Sequence, residues 1–539
     1  MAKHRQNAGR SVPASAQRSK TAGPPKSKAA ASQDEKPFPV VGIGASAGGL
    51  EAFTKLLQNL PTDTGMAFVL IQHLDPKHES ILSSLLSRAT QMPVLEVTDR
   101  MPVEPNQVFV IPPKTSMTLE GSTLYLMPRA TAGHTHMPVD EFLESLAKAR
   151  KHRAIGVVLS GTASDGTAGL RHIKNEGGIT FAQDQASARY DGMPRSATSA
   201  GVVDFVLPPQ EIARELTRIS RHPYVTAESA ARTREILLAD KDEFTTIFRM
   251  LRAHTGSDFS SYKRGTIDRR VKRRMALQRC DDLAAYVKVL QQNPDEVKAL
   301  YEDLLINVTE FFRDPKLFEA LRNNIFPELL HDRPPDVPIR VWVAGCSTGE
   351  EAYSIAMLLI DLLAAQGSNY SVQIFGTDIS EVAIGKARAG VYSENAMATL
   401  PPDYRERFFA KADHGYRVSK RIREMCIFAK QDLGKDPPFS RMDLISCRNV
   451  LIYLGPDLQN RVIPMFHYAL KPNGYLVLGN SETVGTSPLF SVVDKPNKIF
   501  IRQLALERPG VEFPLYQKPV EMSARAASPE PTEEYDLQR

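Results

Sequence analysis

VWVAGCSTGEEAYSI, residues 341 to 355, decides the fold of the larger part of the chain. Val341, Trp342, Val343 and Ala344 read as a buried strand, Gly345 to Gly349 as a turn of small residues, and Glu350 and Glu351 as the opening of a helix. Small residues let the backbone approach a ligand closely, and a helix start offers unpaired N–H groups. Two acids there suit the helix dipole but repel phosphate, and the G-K-[ST] ending of a P-loop is absent. The turn therefore fits a cationic ligand that carries hydroxyls. The competing reading is a structural strand-turn-helix with Thr348 as a cap.

Working outward, Val372 to Ser380 (VQIFGTDIS) reads as a second strand, ending in Asp378 where an acid would take ribose hydroxyls. A ribose, a positive charge and an amino-acid end occur together in S-adenosylmethionine. Upstream, Phe244 to Leu330 is helical in period and holds no strand pattern. Downstream, strands are expected at Met425–Ala429, Asp443–Cys447, Tyr475–Gly479 and Lys498–Arg502. The fold class is α/β, with a doubly wound sheet behind an all-helical lobe.

A second α/β unit precedes it. Its strands are expected at Pro39–Ile43, Ala67–Ile71, Val108–Ile111, Ala154–Leu159, Ile179–Ala182 and Val203–Leu207. Helical patterns cover Gly49–Leu60, Val139–Lys151 and Gly166–Glu176, so the sheet is mostly parallel and Rossmann-like. Leu119 to Leu126 reads as an inserted hairpin. Gly42-x-Gly44 suggests a dinucleotide fingerprint, but the next strand ends in Gln72-His73 with no acid for a ribose. Gly44 to Gly48 is also G-x-S-x-G on a strand-to-helix turn, which would expose Ser46 as a nucleophile or use it as an ordinary N-cap. Strand tips at Ser46, His73 and Asp165 fall on one edge of a parallel sheet, as nucleophile, base and orienting carboxylate require.

The composition is that of a soluble globular chain of 539 residues, 42% hydrophobic and 24% charged. Four scattered cysteines, with no C-x-x-C, argue against a zinc site or a disulfide framework and suit a reducing compartment. No apolar run approaches the ~18 residues of a membrane span, and no secretory signal is seen, so a cytoplasmic location is expected. Residues 1–36 carry eight Lys/Arg against two acids on a chain of net charge +5, leaving the rest close to neutral. This tail and residues 505–539 are expected to be disordered.

Lys263 to Arg279 (KRGTIDRRVKRRMALQR) holds eight basic residues and one acid. Ile267, Val271 and Met275 form an apolar seam beneath a basic surface. That surface reads either as a solvated face or as a docking site for an acidic helical partner. No aromatic residues interleave the charges, so nucleic acid is not expected.

Residues 38–222 resemble the catalytic domain of CheB, the chemoreceptor glutamate methylesterase. The resemblance rests on GASAGG (44–49), QH (72–73), HMPVDEFLESLA from His136, and SGTASDG (160–166) followed by GL (169–170). Thr162 stands where that family usually has Met, but its main-chain N–H is what an oxyanion site would use. Residues 1–36 are too few for the receiver domain found in full CheB proteins, so phosphorylation control of that type is not expected. From about 240 to 503 the chain resembles CheR, the chemoreceptor methyltransferase, on NVTEFFRDP, AGCSTGEEAYSIAM, GTDIS, Gln431-Asp432-Leu433 and DLISCRNVLIY (443–453). By motif position, the family's S-adenosylmethionine contacts fall on Asn307, Thr309, Arg313, Glu350, Asp378, Asp432, Leu433, Arg448 and Asn449. Asp432 replaces the usual Asn and can still accept from an adenine amino group. A small β-subdomain is implied near 390–425, including GYRVSKRIR (415–423).

The implied organisation is a basic tail (1–36), a methylesterase domain (37–222), a linker (223–240), a helical lobe (241–330), a methyltransferase domain (331–504) and a second tail (505–539). The resemblance implies addition and removal of methyl esters on glutamates of chemoreceptor cytoplasmic domains, with no metal. A signalling scaffold with one degenerate site, and a methyltransferase acting on a non-receptor protein or on nucleic acid, are the alternatives.

Overall fold

The structure is a computed structural model that describes residues 38–72, 82–128, 137–226, 241–306, 309–397, 400–412 and 415–504. Both tails, His73, Asn307 and most of the expected linker lie outside these residues. The described residues group as one compact unit.

The first sheet has seven strands in the order Phe205–Leu207, Ile179–Gln183, Ala154–Val158, Val40–Ala45, Ala67–Gln72, Val108–Val110, Val94–Glu96, and every pairing is parallel. Both faces are covered, as a parallel sheet requires. Val41, Ile43 and Ala45 pack on Phe53 and Leu56 of the helix Gly49–Leu57 and on Ile212 and Leu216 of the helix Pro209–Ser220. The other face receives the helix Pro138–Arg150. That helix explains Gly42-x-Gly44: a Cβ at Gly44 would sit 2.2 Å from Val139 Cγ1, and one at Gly42 2.6 Å from Leu143 Cδ2. The glycine pair serves helix packing rather than a dinucleotide. The inserted hairpin is Thr115–Glu120 with Thr123–Pro128, joined by Met101–Pro102.

The second sheet runs Cys426–Lys430, Val372–Asp378, Ile339–Ala344, Met442–Cys447, Leu470–Leu478, Ile499–Arg502, Phe490–Asp494. The first five are parallel and the last two antiparallel. Val341 and Val343 pack with the helix Glu350–Ala365, whereas Trp342 and Ala344 pack with the helix Pro456–Ala469. The alternation of one strand thus buries both faces. A three-stranded sheet, Val391–Tyr392, Gly415–Val418 and Phe409–Ala412, stands in the insertion between these strands, and Lys420–Met425 is helical.

Between the sheets lie the helices Lys241–Thr255, Arg264–Leu277, Leu283–Gln292 and Pro294–Leu304. Ile267, Val271 and Met275 enter their shared core, as the seam predicts. The basic surface above it differs from expectation. Arg270 and Arg273 are buried against the first domain, where carbonyl and carboxylate oxygens replace the water a guanidinium would otherwise keep.

Candidate active sites

The turn that carries Ser46 leaves the strand Val40–Ala45 sharply. Gly49 N–H donates to Ser46 O at 2.9 Å, and Gly48, at φ +76°, is the cap of the following helix. The N-cap position is Gly48 and not Ser46, and among the described residues no side chain caps that helix start. Ser46 is held instead by its backbone, N–H to Ser160 O at 3.0 Å, and Ser160 Oγ donates to Ala47 O at 2.9 Å. A Cβ on Gly161 would lie 3.0 Å from Ser46 Cβ, which places the 160–166 loop directly beside the serine. Among the described residues no backbone acceptor takes the N–H of Ala47 or of Thr162. His73 lies outside the described residues; the strand before it ends at Gln72, in register with Ala45.

Asp165, in the same loop, is buried and accepts from Val139 N (3.2 Å) and Asp140 N (2.9 Å), fixing the start of the helix Pro138–Arg150. Asp140 in turn accepts from Gly169 N at 2.7 Å. Burial, then the neighbouring Asp165 carboxylate, push the Asp140 pKa up to about 7. The unfolded chain releases that proton near the ordinary value of about 3.9, so the native state binds more protons between there and about 7. Stability is therefore expected to fall as pH rises across that window and to level off above it. Asp140→Asn, which keeps the acceptor, removes this component. Urea midpoints at pH 5 and pH 8 check it: the wild type should lose stability relative to the variant, and parallel curves would contradict the assignment.

The second site is a cavity at the carboxyl edge of the second sheet. Its wall includes Tyr262, Thr309, Arg313, Gly345 to Ser347, Glu351, Asp378, Gln431, Leu433, Arg448, Asn449 and Tyr453. The small-residue turn is folded back on its neighbour strand: Gly345 and Cys346 N–H both donate to Thr377 O, at 2.7 and 2.8 Å. Gly345 has φ +73°, and a Cβ there would meet Val450 Cγ2 at 2.3 Å. Asp378 spans the turn, taking Ser347 N at 2.9 Å and Ser380 N at 2.8 Å, and burial raises its pKa.

Of the residues expected here, Thr309, Arg313, Asp378, Leu433, Arg448 and Asn449 line the cavity. Glu350 does not. Its carboxylate accepts from Thr348 Oγ1 at 2.6 Å, and burial pushes its pKa up to about 7. Adjacent helical residues point about 100° apart, and the phase of this helix puts Glu351 on the wall instead. Glu351 accepts from Ser446 Oγ at 2.5 Å and Arg448 Nη1 at 2.9 Å. Asp432 is likewise displaced: it accepts from Gly434 N at 2.9 Å, while Gln431 and Leu433 on either side face the cavity. Asn307 lies outside the described residues. Glu482, unnoticed in the sequence, is buried and takes the N–H groups of Asn449 (3.0 Å), Val450 (2.8 Å) and Gly479 (2.6 Å). It holds Asn449 at φ +58°.

Among the described residues, four buried side-chain atoms on this wall find no hydrogen-bond partner: Ser347 Oγ, Gln431 Oε1, Arg448 Nε and Asn449 Oδ1. Orphaned buried polar groups cost about 1–3 kcal/mol each, so four on one cavity mark a place built for a polar ligand.

Family models match the chain in three consecutive stretches: CheB methylesterase over 41–216, the CheR methyltransferase all-alpha domain over 242–305, and the CheR methyltransferase SAM binding domain over 307–499. A putative methyltransferase, Cher3, of Pseudomonas putida (strain KT2440) is 37% identical over 45% of this chain and 90% of its own length. This chain belongs to the CheR methyltransferase family and carries a CheB methylesterase domain ahead of it. The chemotaxis protein methyltransferase of Borreliella burgdorferi is 32% identical over 45% of this chain and 89% of its own. An uncharacterised 104.1 kDa protein of Rhodobacter capsulatus is 39% identical over 78% of this chain, which spans 46% of that protein's length. Among solved structures, the Thermotoga maritima CheB methylesterase catalytic domain is 28% identical, covers 34% of this chain and 99% of its own, with a TM-score of 0.32. The cofactor of the CheR domain is S-adenosylmethionine. No helix among the described residues is long and apolar enough to cross a membrane.

Proposed function

We propose that this chain is a bifunctional enzyme that methylates glutamate side chains on chemoreceptor cytoplasmic domains and hydrolyses the esters so formed. The observation that carries the transferase half is the cavity with four unpartnered buried polar atoms around Asp378. The donor set fits the ligand. Asp378 suits a ribose diol, Gln431 Oε1 an adenine amino group, and Arg448 Nε with Asn449 Oδ1 a carboxylate and an ammonium. S-adenosylmethionine, when bound, supplies an electrophilic sulfonium methyl. Glutamate is ionised near neutrality, with a pKa of about 4.3, so the protein needs no general base to ready the acceptor. Its work is orientation and exclusion of water. Arg313, on the wall, is positioned to attract the incoming carboxylate, and Tyr453 lines the same space.

In the other half, Ser46 is read as the nucleophile and His73 as the base that takes its proton. His73 then returns the proton to the methoxide leaving group, and methanol departs. Water releases the acyl group from Ser46, and Asp165 orients the imidazole. The helix cap at Gly48, which leaves the Ser46 hydroxyl uncommitted to the helix, supports this role. Glutamine amides would follow the same path more slowly. Cytoplasmic action follows from the receptor domains named as substrate.

Asp378→Ala removes acceptors from two backbone N–H groups and from the ligand. Cofactor affinity is expected to fall by about 1–3 kcal/mol, read by calorimetry on the folded variant. Unchanged affinity would contradict the ribose assignment.

A further inference from the structure

The helix Arg264–Leu277 has two occupied faces. Ile267, Val271 and Met275 enter the core of the helical lobe. Arg270, Arg273 and Ala276 enter the esterase domain, with Ala276 packed in the cluster that contains Ile212, Leu216 and Ile219. The lead-in to the helix forms part of the cofactor cavity. Tyr262 lines it and bridges to Leu454, Lys263 N–H donates to Tyr453 O at 2.8 Å, and Gly455 N–H donates to Ser261 O at 2.8 Å.

The seam with the esterase domain is dense. Arg270 donates to Lys174 O at 3.0 Å and to Asn175 O, at the C-terminal end of the helix Thr167–Asn175. Arg273, fully buried, donates through Nε to Gly178 O at 3.0 Å. It also pairs with two carboxylates, Asp204 of the esterase domain and Asp303 of its own lobe. Around it, Arg218 donates to Ala276 O at 2.7 Å, Arg279 pairs with Glu215 at 3.1 Å, and His222 Nε2 lies 3.2 Å from Cys280 O.

We propose that the esterase domain is the partner for which this basic helix is built, and that the Asp204–Arg273–Asp303 seam holds the cavity wall of the methyltransferase in place, coupling cofactor binding to the neighbouring domain. The proposal rests on the reading of the cavity as the S-adenosylmethionine site. Its physical basis is mechanical. The helix is anchored by buried ion pairs at Arg273, and the lead-in that runs straight into its start carries the cavity residue Tyr262. Loosening the anchor lets Tyr262 and the Tyr453–Leu454 segment depart from the geometry that receives the ligand, and a less preorganised site binds more weakly. An acidic helix from outside would have to displace Asp204 to reach Arg273. Burial supports the seam further: desolvation would raise the Asp204 pKa, yet Arg273 and Lys174 hold it down at about 2, so Asp204 is ionised at neutral pH.

The test is calorimetric titration of S-adenosylmethionine into the full chain and into Asp204→Asn, whose amide oxygen still accepts from Thr180. Asp204 is remote from the cofactor cavity in sequence and does not line it. The proposal expects the dissociation constant to rise by about fivefold or more, the lower end of ordinary coupling between sites. Arg273→Lys, which keeps the charge but loses the planar fork that holds both carboxylates and Gly178 O, serves where Asp204→Asn does not fold and should shift affinity in the same direction. Equal or tighter binding in a folded variant overturns the coupling. Absence of binding in the wild type removes the cavity reading itself, and the two failures are thereby distinguished.

Discussion

Ser46→Ala is expected to lower methanol release from a methylated receptor fragment by several powers of ten, the usual consequence of removing a triad nucleophile. Alanine fits the turn, whose shape comes from Gly48 at φ +76° and from main-chain bonds to Ser160. Had Ser46 been a helix cap, its loss would cost about 1 kcal/mol of stability and leave hydrolysis nearly intact. The two outcomes are far apart. Steady-state receptor methylation should rise in the same variant, because the transferase cavity is built from other residues. A folded Ser46→Ala protein that releases methanol at the wild-type rate would contradict the esterase mechanism.

The second large effect is expected at Arg273. It is fully buried between Asp204 and Asp303, with Gly178 O as a third partner. Arg273→Ala strands the buried Asp303 and leaves Asp204 with Lys174, at 3.4 Å, as its one remaining cationic partner among the described residues, and breaking a buried pair from one side costs about 3–5 kcal/mol. Urea unfolding reads the loss directly. Arg273→Met combined with Asp204→Asn and Asp303→Asn removes all three charges and should recover much of it, since a neutral apolar substitute avoids the desolvation that the stranded acids suffer. A loss under about 1 kcal/mol in Arg273→Ala would mean that water reaches the seam.

Much of this was legible because the strands that carry the sites are apolar runs closed by glycine-rich turns. Val341–Ala344 and Val40–Ala45 declare themselves, and the parallel sheets then bring distant tips to one edge. Short or exposed strands did not. Val94–Glu96 has three residues, and Phe490–Asp494 exposes Ser491 to Val493 at a sheet edge, so neither shows a buried run. At Glu350-Glu351 the sequence offers two equivalent acids, and only the phase of the helix selects the one on the cavity wall. The basic helix shows the same limit at larger scale. Periodicity reports an element's own apolar face, whereas the partner that buries Arg270 and Arg273 comes from residues 174 to 204, far away in sequence. Glu482 carries no signal at all outside the fold, since its role is to accept main-chain N–H groups from a loop some thirty residues earlier.

One chain is expected both to add and to remove the same methyl ester. Incubation of the full protein with methyl-tritiated S-adenosylmethionine and a chemoreceptor cytoplasmic fragment, with protein-bound and volatile counts followed separately, tests it most directly. Label is expected to enter the fragment and then leave as methanol, with Ser46→Ala retaining the label and Asp378→Ala slowing its entry. Label that never enters the fragment, or that enters and is released no faster with wild type than with Ser46→Ala, would contradict it.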